Sequence, residues 1–285
     1  MEYLLILLLC TLTVGKVIVH SAFGKRCVHT LTDAALFYGL VFLVPSLLFG
    51  YSVFNASGLT WAIAAVFGVL SAVFQLFYTK ALAAGPVSLV GLVTNLAILL
   101  PVTASAVIYR EPLGLFRILG LALLLFAFFT VANLRAPRKK QGGWLGYAAI
   151  AMLASGCANI AQKIFGKTEV SDESVAFVTC AYLVGAVVCF GFYLVRRAAG
   201  IRTSYSIGLR PIASAAAVGL LLTFFQVANT YAVATIAGTI LFPAYSGGNI
   251  VFTTLAGVLV FHDRLSRRSL AGILLGLLAV VLVNL

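Results

Sequence analysis

Phe23-Gly24-Lys25 returns as Phe165-Gly166-Lys167, and this echo decides how the rest of the chain is read. Phe74-Gln75 returns as Phe225-Gln226, and Glu111 followed by Gly120 returns as Asp263 followed by Gly272. The offset is 142 residues at the first pair and 152 at the acidic pair, which places a longer loop near 197–209 in the second copy. Between the anchors the chain is almost wholly apolar, so each copy reads as a block of membrane helices and not as a solenoid unit.

Apolar residues form 62% of the 285 and charged residues 9%, a balance that a bilayer accepts as exterior surface and a soluble domain of this size does not need. Bilayer-length runs fall at 3–22, 31–52, 58–80, 84–108, 114–134, 144–165, 174–196, 210–232, 236–261 and 268–285. The expected fold is therefore an all-α integral membrane protein with ten transmembrane helices. It divides into a first five-helix repeat (1–134), a basic linker (135–143) and a second five-helix repeat (144–285). Five is odd, so the second copy enters the membrane upside down, and the two repeats are related by an axis in the membrane plane. No run is left over for a soluble domain.

The net charge of +12 could point to nucleic acid, but its placement points to topology. Fourteen of the 19 lysines and arginines lie in the connections after odd-numbered helices, including Arg138-Lys139-Lys140, Arg196-Arg197 and Arg267-Arg268. That bias puts the odd-numbered loops in the cytoplasm and both termini outside. The five cysteines form no Cys-x-x-Cys pair and His20, His29 and His262 are scattered, so neither a disulfide framework, a zinc site nor any other cofactor is expected. The first run keeps Lys16 within it and lacks a basic leader, which argues against a cleaved signal peptide.

Polar side chains inside hydrocarbon need a partner or a water-lined cavity. Lys16 lies nine residues from the basic end of its helix, roughly 14 Å at 1.5 Å per residue and beyond easy snorkelling. His20 follows one turn later on the same face. Two readings of Lys16 stand: a structural cation bonded to carbonyls, or a cavity cation that attracts an anionic group of a substrate. Thr94-Asn95 in the fourth helix and Ser246-Gly247-Gly248-Asn249 in the ninth form a second candidate. The glycine pair could loosen the helix and expose backbone groups at the midplane, with Tyr245 supplying a flat face and a hydroxyl. Gln75 and Gln226 are the repeat-related pair, expected at opposite mouths of one cavity, and Gln162 adds an amide from the sixth helix. All seven carboxylates fall near span ends or in loops. A cation antiporter coupled through a buried acid, a carboxylate metal site and an intramembrane enzyme therefore lack their chemical groups.

The stretch Tyr78 to Phe129, with Ala81, Gly85, Pro101, Glu111 and Gly120, resembles the ten-helix EamA-like members of the drug/metabolite transporter superfamily. The second copy matches through Ala232, Gly238, Asp263 and Gly272, departing with Thr253 at the proline position and Asp263 for the usual glutamate. The resemblance implies two inverted five-helix repeats around a cavity lined by helices 1, 3, 4, 6, 8 and 9, alternating access, and a bacterial-type cytoplasmic membrane. It also implies loop-anchoring roles for Glu111 and Asp263. Such relatives move amino acids, drugs, phosphorylated sugars, nucleotide sugars, choline or lipid-linked sugars, so the fold does not choose the cargo. The expected activity is transport of a small polar metabolite bearing a carboxylate, by export, with the lipid bilayer as the other partner. The alternatives are a flippase or accessory subunit for a lipid-linked sugar, and an exchanger of phosphorylated metabolites.

Overall fold

Apolar runs closed by glycine, proline or charge become helices here, and no strand occurs among the described residues. The computed structural model describes residues 2–27, 30–84, 90, 93–111, 114–131, 143–203, 208–261 and 267–283. Within them lie ten α-helices: α1 (Glu2–Cys27), α2 (Leu31–Phe49), α3 (Gly58–Ala84), α4 (Leu99–Ile108), α5 (Leu115–Val131), α6 (Trp144–Gly166), α7 (Ser174–Ala198), α8 (Leu209–Thr235), α9 (Gly238–Phe261) and α10 (Arg267–Val283). Short 3-10 turns at Gly50–Asn55 and Leu96–Ile98 follow α2 and precede α4.

Five segments are long and apolar enough to cross a membrane: Leu31–Asn55, Gly58–Leu82, Trp144–Gly166, Ser174–Ala198 and Leu209–Thr235. The described apolar parts of α1, α4, α5 and α10 are shorter. Pro86 and most of the expected 135–143 linker fall outside the described residues, as do His262 and Asp263.

Local chemistry sets the helix ends. Thr30 and Asp33 form a capping box at the start of α2: the Asp33 amide donates to Thr30 Oγ1 at 3.2 Å and the Thr30 amide to Asp33 Oδ2 at 2.9 Å. Pro211 sits in the first turn of α8, where its missing N–H has no intrahelical acceptor to lose. Only Ile236 and Ala237 separate α8 from α9, forcing the two into a hairpin.

The tightest packing joins helices far apart in sequence. α2 lies on α7 and α8, α3 on α6 and α7, α1 on α8 and α9, α4 on α6 and α9, and α10 on α5. Small residues permit it: a Cβ on Gly68 of α3 would collide with the carbonyl oxygen of Ala181 on α7, and one on Gly185 would lie 3.0 Å from the Phe42 ring. Aromatic rings fill the seams, with Phe165 stacked on Phe177 at 4.2 Å and Phe42 on Tyr182 at 4.8 Å.

Candidate functional site

Three helices bring the strongest polar candidates together. On α1, the Lys16 ammonium stands 5.1 Å from the centre of the Phe225 ring of α8. That ring lies 5.7 Å from Tyr245 of α9, whose hydroxyl shares a 2.8 Å hydrogen bond with Thr13, one turn before Lys16. Lys16 is half-buried, and among the described residues no carboxylate lies within ion-pairing distance of it. An aromatic face offsets only part of the hydration that an ammonium loses in hydrocarbon. The arrangement is a cation on an aromatic shelf, with two hydroxyls beside it. His20 continues α1, but its side chain lies outside the described set.

The loosened ninth helix does not occur. α9 runs as continuous α-helix through Ser246-Gly247-Gly248-Asn249. The physical reason is the approach of α1: a Cβ on Gly248 would stand 2.8 Å from Cys10 Sγ, so this glycine serves close helix crossing and not unwinding. Ser246 and Asn249 are half-buried on the same helix as Tyr245. In the first half, Thr94 bonds back to the Val90 carbonyl at 2.9 Å and Asn95 is exposed, just before the 3-10 turn that leads into α4. Gln75 is half-buried on α3.

Gln162 makes a helix-packing contact. It is fully buried, donating from Nε2 to Thr230 Oγ1 at 2.8 Å while its Oε1 accepts from Asn229 Nδ2 at 2.9 Å. Both ends of the amide are thus spent on tying α6 to α8. Gln226 is also buried.

Sequence reasoning missed Lys163. Three residues from the end of a helix, it reads as an interfacial lysine, yet its side chain is 2% exposed. Its ammonium meets Glu111 Oε1 at 2.9 Å and donates to the Val233 and Ile236 carbonyls at 3.3 and 3.1 Å. The other Glu111 oxygen accepts from the Thr239 amide at 3.1 Å. Gly156, two turns earlier on α6 and packed on Leu100, gave the available signal: small residues on this face announce a close neighbour. A second tie lies at the same end of the molecule, where Glu173 accepts from the Ser57 amide at 2.9 Å and the Thr60 hydroxyl at 2.6 Å. Each described carboxylate stands at a helix end or in a connection.

No model of a known protein family matches the chain, and no curated protein matches it. A solved crystal structure superposes with a TM-score of 0.71 over 99% of this chain and 95% of its own, at 19% sequence identity. At that identity the likeness shows a shared fold, over essentially the whole length of both chains.

Proposed function

We propose that the chain is an integral membrane transporter for a small polar solute bearing a carboxylate, held at Lys16 and carried by alternating access between two inverted five-helix halves. The observation that carries the reading is the Lys16 ammonium on the Phe225 ring, inside an apolar bundle and without a carboxylate partner among the described residues. A cation so placed gains most from an incoming anion. Tyr245 and Thr13 add hydroxyls for the remaining polar atoms of the solute, and Ser246 and Asn249 extend the same wall along α9.

Helix partnerships support the two halves. Adding five to each helix number carries α3–α6 into α8–α1, α3–α7 into α8–α2 and α4–α6 into α9–α1, while α2–α7, α4–α9 and α5–α10 map onto themselves; all of these pairs are in contact. Exchange of this kind is what an in-plane twofold axis produces. Together with the motif resemblance it supports an EamA-like architecture with ten spans. The basic bias supports odd-numbered loops in the cytoplasm and both termini outside.

Ligand-induced thermal stabilisation of the purified protein tests the reading. Panels of amino acids, phosphorylated sugars, organic cations and lipid-linked sugars are screened against wild type, Lys16→Ala and Lys16→Arg. Binding to the folded state raises its stability by RT ln(1 + [L]/Kd), so a true ligand shows a concentration-dependent shift. A carboxylate-bearing hit, lost in Lys16→Ala and partly kept in Lys16→Arg, is expected. A cationic hit, or a carboxylate hit indifferent to Lys16, sinks the assignment.

A further inference from the structure

Beside Lys16, residues of α1 and α8 line a groove of about 860 Å³ that reaches the connection between α6 and α7. Leu8 and Leu12 form one wall, and Phe224, Ala228 and Tyr231 the other. Leu8 is 46% exposed, and Phe224 and Tyr231 are each 52% exposed. α8 is one of the helices long and apolar enough to span a membrane, so these side chains face lipid and not water. The groove opens sideways into hydrocarbon.

Its length is informative. From Phe224 to Thr235 at the end of α8 is eleven residues, roughly 16 Å of helix, about half of a 30 Å hydrocarbon core. The groove is therefore one leaflet deep. Its closed end reaches the middle of the bilayer, and its open end reaches the connection between α6 and α7.

That end is polar. Ser171, Asp172 and Ser174 line it, and Gly166 lets α6 pack closely on Ala234 of α8 there. The Ser174 hydroxyl is spent on the Ser171 carbonyl at 2.8 Å and the Thr235 hydroxyl on the Tyr231 carbonyl at 2.9 Å, so neither donor is left for a ligand. Asp172 is exposed, with no described cation within ion-pairing distance. An acceptor carboxylate thus stands at the groove's mouth.

We infer that the groove seats one acyl chain of a phospholipid whose headgroup ends in a primary amine, with the ammonium on Asp172. The hydrocarbon wall fits the chain, and the carboxylate at the mouth fits the ammonium. An ammonium brings three N–H donors to the carboxylate, whereas a trimethylammonium headgroup brings none. This seat is separate from the Lys16 shelf, and its occupancy does not depend on transport.

Native mass spectrometry of the detergent-purified protein, titrated with phosphatidylethanolamine, phosphatidylcholine or phosphatidylglycerol, reads the proposal directly. Wild type is expected to retain one phosphatidylethanolamine with a preference over phosphatidylcholine on the order of tenfold, the scale of one charge-assisted hydrogen bond. Ala228→Trp fills the groove and should abolish that retention, while Val187→Trp, on a lipid-exposed position of α7, should leave it intact. Asp172→Asn should keep acyl binding and erase the headgroup preference, and because this residue is exposed the variant folds normally. Equal retention of all three lipids by wild type, or retention unchanged by Ala228→Trp, overturns the seat. A phospholipid shift that survives Lys16→Ala separates the result from the substrate assignment.

Discussion

Lys163 Nζ and Glu111 Oε1, 2.9 Å apart with side chains 2% and 11% exposed, neutralise two helix ends at once. The ammonium satisfies carbonyls at the C-terminus of α8, and the carboxylate satisfies an amide at the N-terminus of α9. Each charge has the sign that its helix end favours. The expected anchoring role of Glu111 thereby acquires a partner that its sequence neighbourhood did not reveal. Arg110, with φ of 51° in the left-handed region, turns the chain so that the Glu111 amide bonds the Ser105 carbonyl and the carboxylate faces α9.

Removing one member leaves the other buried and unpaired, so Lys163→Met is expected to cost about 3–5 kcal/mol. Glu111→Gln should cost less, because an amide oxygen still accepts from Thr239. Lys163→Met combined with Glu111→Leu should recover part of the loss. Thermal unfolding of wild type, Lys163→Met, Glu111→Leu and the double variant in one detergent gives the coupling; strict additivity would show that the pair acts through separate contacts.

Gln162→Leu strips both bonds that hold α6 to α8 and leaves the Asn229 amide without its acceptor. A destabilisation of about 1–2 kcal/mol is expected, the scale of interhelical hydrogen bonds in membranes. Ligand affinity measured on the folded fraction should stay unchanged. A selective loss of binding with wild-type stability would return Gln162 to the substrate site.

Glu173 is an acid-sensitive group at the start of α7. Hydrogen bonds from the Thr60 hydroxyl, first, and the Ser57 amide hold its carboxyl below the usual carboxylate range. A depressed folded pKa contributes stability that is present above the unfolded value of about 4.3 and disappears as pH falls through the lower folded value. Thermal unfolding followed from about pH 7 downward should show wild type losing stability in that acidic window. Glu173→Gln should show a shallower fall over the same window, with equal slopes arguing that the tie is immaterial.

Gly68→Ala sets a β-carbon against the Ala181 carbonyl and should cost at or above the roughly 1–3 kcal/mol usual for overpacking. Gly191→Ala on α7 meets nothing within 4 Å and should be neutral or stabilising through helix propensity. Parallel melting curves decide it, since similar shifts for both variants would contradict the close α3–α7 approach.

The helical order was legible because glycine, proline and charge punctuate the apolar runs: the expected 58–80, 144–165 and 174–196 reappear as α3, α6 and α7 with ends a few residues longer. Lys16 was legible because a lysine so far from a helix end violates the solvent rule of the membrane. Its neighbours were not, since Phe225 and Tyr245 come from α8 and α9 and nothing near residue 16 encodes their approach. Gly247-Gly248 misled for a related reason. A glycine pair serves unwinding or close crossing equally well, and only the position of Cys10 on α1 distinguishes them.

The seam at Gly68 also has a consequence for biogenesis. Residues of α3 reach the membrane long before Ala181, Gly185 and the rest of α7 are synthesised, and the α2 face that receives α8 waits longer still. During that interval the first five helices present faces of glycine, alanine and aromatic rings with no protein against them. Final packing is therefore set by the arrival of the later helices, and the faces of α2 and α3 stay uncovered until α7 and α8 are made.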